Sequence, residues 1–253
     1  MCMSTLEIRK KTSHMGTLII RPISKTLAKD LIIRNHYSHK WNTPFGLYNF
    51  GLFQEGAPDE CLGVAVYGWP KCPRAKNYIS DVPNGWMCEL NRMWIDDCLG
   101  KNSESILISA SLKLLRLFDS AIVAVQSFAD GRLGCGTIYK AANFDYYGYH
   151  ITRFFRDKMT GEIFHEQGLS NSACRSRFLH KNIDLLLGRL ECFDTKTYRY
   201  IYPFHKSFVF TGTKKKPYPH YEKETGVEKI KPDHLVGRLT TVLQTLAKKY
   251  PHQ

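Results

Sequence analysis

The alternation of helix-period and strand-length segments between residues 103 and 156 limits the fold more than any other feature of this chain. Residues 103–119 put Ile106, Ala110, Leu114 and Leu117 at helical spacing. Residues 121–129 (AIVAVQSFA) form a nearly continuous apolar run of strand length. Residues 133–143 predict a second helix, and the Tyr/Phe-rich residues 145–156 another strand. Strands separated by helices in this order belong to β-α-β units, in which the helices cover the sheet faces.

Upstream, residues 17–22 (TLIIRP) read as a short strand, and Ser24 caps a helix running to about Ser38 with Leu27, Leu31 and Ile32 on one face. Residues 45–54 and 61–69 are apolar, aromatic-rich runs joined by the turn-forming residues 55–60, which predicts a hairpin. A loop rich in Pro, Lys and Arg follows, and then the strand-like residues 86–96. The whole order is β-α-β-β-β-α-β-α-β: an α/β chain with a mixed sheet and helices on both faces. The rest is less regular, with helices expected near residues 172–190 and 235–250. Three parts are expected: residues 1–16 as an N-terminal extension, 17–204 as the main domain and 205–253 as a basic C-terminal extension.

Composition restricts the function. The net charge is +13, which points to a polyanionic partner, nucleic acid first. From His205 onward, ten Lys/Arg face four Asp/Glu, so nearly half the excess sits in the last fifth of the chain. There Lys214, Lys215 and Lys216 precede Pro217 and Tyr218 in what reads as an extended basic arm. Eight scattered cysteines without a C-x-x-C pair argue against a zinc ribbon or a disulfide framework. No apolar run reaches membrane-helix length and the N-terminus has no apolar core, so a cytoplasmic protein without a membrane partner is expected.

Two charged residues stand out against their strands. Asp130 ends the apolar run 121–129 and is followed by Gly131. In open α/β sheets, ligands bind at the carboxyl ends of strands, although Asp-Gly also simply opens turns. Arg92 lies at an even position of its strand, with Leu90 and Trp94 on either side. A buried guanidinium needs a carboxylate, a carbonyl or a ligand, and Asp130 is the natural partner.

The element order resembles the GNAT acyltransferase superfamily, in which the fourth and fifth strands splay apart to admit the acyl donor. The motifs Asn35-His36-Tyr37-Ser38-His39-Lys40-Trp41, Glu89-Leu90-Asn91-Arg92, Ser103-Glu104-Ser105, Ser127-Phe128-Ala129-Asp130-Gly131 and Gly136-Thr137-Ile138-Tyr139-Lys140-Ala141-Ala142-Asn143-Phe144 resemble the Mom DNA-modification proteins of Mu-like phages. The resemblance implies a transferase that converts adenine to its N6-carbamoylmethyl form in double-stranded DNA, shielding phage DNA from restriction. It also implies Arg92, Ser105, Asp130 and Tyr139 as the functional set. Residues 97–102 depart from the R/Q-x-x-G-x-G/A loop that holds the diphosphate of coenzyme A, and Glu104 adds a negative charge there. A glycyl aminoacyl-tRNA is therefore favoured over acetyl-CoA as donor, with tRNA as a second partner.

In that setting Arg92 holds the donor carbonyl or orients Asp130, and Asp130 accepts the proton from adenine N6. Ser105, in the first helical turn, is a candidate to bind a carbonyl oxygen or a phosphate, and Tyr139 to stack on a base or donate to the developing oxyanion. Tyr37 or Trp41 is the candidate for holding an everted base, with His36 and Tyr48 as further substrate-binding candidates. His36 and His39 are spaced for a metal but lack an evident third ligand. Lys71, Arg74 and Lys76, with Lys214, Lys215 and Lys216, are the candidate phosphate contacts. The other functions to weigh are acyl transfer to a protein or small molecule, and DNA binding without catalysis.

Overall fold

The structure is a computed structural model. It describes residues 6–41, 45–161, 163–165, 190–220 and 228–229. The helix expected near residues 235–250 lies outside these, as does that near 172–190 apart from Leu190, which begins a strand.

Twelve strands and three α-helices are described: β1 Ile8–Lys11, β2 Thr17–Pro22, α1 Lys25–Asn35, β3 Tyr48–Gln54, β4 Gly63–Gly68, β5 Tyr78–Ile79, β6 Trp86–Ile95, α2 Ser103–Phe118, β7 Ile122–Asp130, α3 Thr137–Ala141, β8 Asp145–Asp157, β9 Ile163–His165, β10 Leu190–Pro203, β11 Val209–Phe210 and β12 Glu228–Lys229. The main sheet runs β1-β2-β3-β4-β6-β7-β10-β8-β9, with β12 on β10. The pairs from β1 through β6 are antiparallel, whereas β6 and β7 are parallel. The sheet is thus mixed, as expected.

The chain divides into two compact units. The first comprises Met1–Ala129, Gly136–Gly148 and Tyr198–His220; the second comprises Asp130–Cys135, Tyr149–Thr197 and Tyr221–Gln253. Residues 6–11 are not a bare extension, because β1 pairs with β2. Residues 205–220 likewise belong to the first unit.

In the first unit the two long helices cover opposite faces. Val64 and Val66 of β4 pack with Ala28 and Ile32 of α1 and with Phe45. Tyr67, one residue on, faces the other way, and its hydroxyl lies 2.7 Å from Ser111 Oγ on α2. Ser24 caps α1 as expected, its side chain accepting from the Leu27 N–H. The buried stripe is Ala28 and Ile32, with Leu27 38% exposed, because the helix is rotated from the face that Leu27 would select. The helix also stops at Asn35, where His36 turns extended.

The third helix is shorter than expected, five residues in place of residues 133–143. Gly134 and Gly136 hold positive φ values of 126° and 87° and break the helix on its N-terminal side. A Cβ at Gly136 would stand 2.7 Å from Tyr200 and 2.8 Å from Ala129. That close approach lets Tyr139 stack on Tyr200, with ring centroids 5.1 Å apart.

In the second unit, Asp130 opens a turn: its carbonyl accepts from Leu133 N and its Oδ1 from Arg132 N. Arg153 of β8 makes a two-bond ion pair with Asp194 of β10, both contacts 2.8 Å.

Candidate active site

The site follows from where two strands stop pairing. β6 and β7 are in parallel register from Trp86/Ile122 to Glu89/Gln126, and the ladder ends there. Both strands continue, β6 to Ile95 and β7 to Asp130. Beyond the last rung side chains take over. Gln126 Nε2 donates to Glu89 Oε2 at 2.7 Å, and Ser127 Oγ lies 3.3 Å from the Leu90 carbonyl.

A bulge in β6 decides which face Arg92 uses. Tyr67 pairs with Leu90 but Val66 pairs with Arg92, so Asn91 is an extra residue. Paired residues share a face, so Leu90 goes with Tyr67 toward α2 and Arg92 goes with Val66 toward α1. The expectation that Arg92 and Leu90 share a face is thereby corrected: the inserted residue reverses the alternation. Glu89, opposite Gly68, lies on the same face as Arg92, as does its partner Gln126.

Arg92 is mostly buried, and no carboxylate is its hydrogen-bond partner. Nη1 donates to the Asn91 carbonyl at 2.7 Å, the guanidinium sits 4.7 Å from the Phe45 ring centroid, and Nε has no partner. Burial pushes its pKa down. Asp130 is held within its own unit, where Arg132, two residues along, forks onto its carboxylate through Nε and Nη2. Lys71 Nζ stands 4.5 Å from the same Phe45 ring, and the Lys71 N–H donates to Glu89 Oε2 at 3.2 Å. Burial and the charge of Arg92 lower the Lys71 pKa.

His36 is buried and belongs to this electrostatic group. Its Nδ1 accepts from the Ser38 N–H at 3.1 Å, so in the neutral ring the proton sits on Nε2. Burial first, then Arg92 and His39, lower its pKa to about 4. Near neutral pH it is an uncharged donor. Its ring lies 4.3 Å from that of Tyr37, which is 54% exposed. Trp41 packs edge-on against Phe45 at 5.8 Å and so steadies the ring that carries both cations.

Tyr139 is buried in α3, with Ser127 Oγ 2.9 Å from its hydroxyl. Burial raises its pKa to about 12, so the phenol keeps its proton. Glu89, missed in the sequence, is a buried carboxylate receiving Gln126, Asn91 at 3.2 Å and the Lys71 N–H. Burial raises its pKa. Asn91 and Gln126 were missed as well, although amides inside apolar strands were a visible signal. Asn91 Oδ1, Arg92 Nε and Gln126 Oε1 are all buried without hydrogen-bond partners. Native proteins satisfy nearly all buried polar atoms, so three such atoms around one strand divergence make this the candidate site.

Other expected residues lie elsewhere. Tyr48 is structural: its hydroxyl donates to Asp119 at 3.0 Å, beside the Trp86 indole, and the phenol pKa rises to about 12 through burial and this bond. Ser105 Oγ donates to the Asn102 carbonyl at 2.9 Å. His39 Nδ1 is 2.9 Å from the Ile33 carbonyl rather than beside a metal ligand set, and no metal-binding cluster of three His, Cys, Asp or Glu occurs among the described residues. Arg74 and Lys76 sit exposed on a short 3-10 turn, Pro73–Lys76. The basic segment at Lys214–Lys216 is laid along β8 and is not a free arm. Lys215 pairs with Asp145, the Lys216 N–H donates to the Tyr146 carbonyl at 2.8 Å, and Tyr218 donates to the Phe144 carbonyl at 2.6 Å. Among the described residues no helix is long and apolar enough to cross a membrane.

The sequence profile of the Mom protein family matches residues 17–220. The chain belongs to the Mom protein family. It is 36% identical over 151 residues to the methylcarbamoylase Mom of Escherichia phage Mu, a match covering 59% of this chain and 60% of that protein. The chain thus spans about 60% of the length of this curated relative. Among solved structures it is similar to Arabidopsis thaliana NAA60 in complex with acetyl-CoA, at 10% identity and a TM-score of 0.43 over 74% of this chain and 99% of that one. It is also similar to the GNAT domain of S. lividans PAT, at 12% identity and a TM-score of 0.38 over 55% and 88%. Likenesses this distant say nothing of substrate or donor.

Proposed function

We propose that this Mom-family chain is a transferase that places a carbamoylmethyl group on N6 of adenine in double-stranded DNA, and that the β6/β7 divergence is its reaction centre. The family membership and the named relative support the modification. One observation carries the assignment of the site: unpaired polar atoms of Asn91, Arg92 and Gln126 gather where the ladder ends.

The groups there are suited to stabilising negative charge on an oxygen. Arg92 is a cation, His36 is a neutral Nε2–H donor and Tyr139 is a protonated phenol. Donors held in a water-poor site stabilise the oxyanion that forms when a nucleophile adds to an activated acyl carbon. Exocyclic N6 is that nucleophile, and adenine must leave the stack to present it. Its addition to the glycyl carbon, with loss of the N6 proton and of the tRNA 3′-terminal ribose oxygen as leaving group, gives N6-glycyl adenine; this is an isomer of the carbamoylmethyl base, so an isomerisation that moves the N6 bond from the carbonyl to the methylene carbon must follow. Exposed Tyr37 is the candidate to meet the everted ring, while Lys71, Arg74, Lys76, Lys214 and Lys216 are candidates for phosphate contacts. Asp130 enters as the proton acceptor. Its carboxylate oxygens, held by Arg132, supply the acceptor.

The donor is an activated acyl compound. The turn before α2 does not fit the diphosphate of coenzyme A. Ser103 Oγ donates to the Gly100 carbonyl, Ser105 Oγ to that of Asn102, and Glu104 occupies the first turn. An aminoacyl-tRNA carrying glycine is the favoured donor.

The test is intact-nucleoside mass spectrometry of DNA from cells making the wild type, Arg92→Gln or Asp130→Ala. Modified adenosine is expected with wild type only. Its absence with folded wild type overturns the function; its persistence with Arg92→Gln overturns the site. Labelled glycine should enter the base, and labelled acetate entering instead removes the tRNA donor.

A further inference from the structure

Arg199, on β10, is a second buried guanidinium that lacks a carboxylate. It is 7% exposed. Its Cζ lies 5.0 Å from the ring centroid of Phe128 and 5.2 Å from that of Phe210. Nη2 donates to Cys72 Sγ at 2.8 Å, and Nη1 is buried without any partner. All four residues belong to the first unit. Arg199 makes no ion pair among the described residues.

The energetics of that arrangement are unfavourable as it stands. A buried cation loses its hydration and normally recovers the loss through an anion and a full set of hydrogen bonds. Two aromatic faces offset part of this loss. The single acceptor, a thiol sulfur, is among the weakest in a protein. A guanidinium edge with one N–H on a thiol and one on nothing matches what a bidentate oxyanion requires: two parallel donors in one plane, with rings alongside. Cys72 is half-exposed and begins the turn Pro73–Lys76, so the approach to the fork runs past it.

We propose that Arg199 is an oxyanion-binding residue, and that a phosphate or carboxylate group takes the place of the Cys72 thiol on its Nη edge. Phosphate and carboxylate share the same two-oxygen geometry, and the choice between them is an outcome of the test. This site is separate from the Arg92 assignment and stands or falls without it.

The full chain is titrated by calorimetry with inorganic phosphate, diphosphate and acetate in three separate arms. Saturable one-to-one binding of at least one anion is expected, weakened tenfold or more in Arg199→Gln and unchanged in the control Lys113→Gln. Cys72→Ala removes the competing acceptor while leaving the guanidinium, and should tighten binding at least threefold. It carries the test if Arg199→Gln does not fold. In parallel, iodoacetamide labelling followed by peptide mass spectrometry should show Cys72 released, and labelled faster, when the anion is present, with exposed Cys98 unchanged. No binding in any arm, binding retained in Arg199→Gln, affinity unchanged in Cys72→Ala, or Cys72 labelling that is unchanged or slower overturns the proposal.

Discussion

Replacing Arg92 by methionine separates a reaction-centre cation from a structural one, because the two roles predict different effects on stability. Met has similar length and no charge. In the folded protein the guanidinium makes one hydrogen bond, to the carbonyl of the preceding residue, and one ring contact. The ring contact is worth roughly 0.5–2 kcal/mol. Leaving the Asn91 carbonyl without its donor costs about 1–3 kcal/mol. Against these stands the desolvation of a buried cation, several kcal/mol in size and offset only in part by the charge of Glu89, and replacing buried charge by well-packed apolar side chains often stabilises by about 1–4 kcal/mol. These costs, together about 1.5–5 kcal/mol, offset a relief of similar size, so the change is centred near neutral and stays within about 2 kcal/mol of it. Breaking a real buried ion pair would instead cost about 3–5 kcal/mol. Urea unfolding reads the difference as a shift in midpoint at constant slope. The same variant removes one cause of the low His36 pKa. NMR titration should therefore show that pKa rising from about 4 while staying below 6.5, since burial is the larger cause. Modified adenine should disappear. A loss of 3 kcal/mol or more, with product falling only as the folded fraction falls, would refute the reasoning.

His36 titrates near 4 folded and near 6.5 unfolded, so between these values the unfolded state binds the extra proton. Its contribution is complete above pH 6.5 and is lost as pH falls toward 4, amounting to about 3 kcal/mol; His36→Gln should show a shallower loss over that window in denaturant melts. Gly136→Ala forces a Cβ into a left-handed backbone 2.7 Å from Tyr200, and should destabilise by more than about 1 kcal/mol, measured by thermal unfolding. Neutralising Lys214 and Lys216 should reduce the dependence of log K on log salt by about 1–2 units in DNA binding, whereas Lys215, already paired with Asp145, should contribute less; an unchanged slope removes this segment from the DNA surface.

Local pattern carried the reading wherever one element was decided by its own residues. The capping Ser24, the apolar run into Asp130 and the long α2 all have nearest-neighbour causes, and all formed within a residue or two of expectation. The readings failed where a partner at a distance decides. β10 reads as irregular because tyrosines, charges and threonines alternate along it, and only its place between β7 and β8 makes it a strand. Residues 133–143 have helical composition, but close packing at Gly136 cuts the helix to one short turn. The lysines at 214–216 look like a free arm until β8 supplies the Asp145 carboxylate and the Tyr146 carbonyl.

The candidate site shows the same division. The order of residues by itself put Arg92 among apolar neighbours, where burying it has a cost that any fold must meet, and named His36, Asp130 and Tyr139 as candidates beside it. Which of them meet was decided only in three dimensions. One inserted residue, Asn91, turns Arg92 toward α1 and Phe45 instead of toward α2, and Arg132 lies close enough in sequence to take Asp130 for itself. Side-chain chemistry is a property of the chain; strand register and the bulge that shifts it come from pairing between segments far apart, and those pairings set the direction in which each charge points.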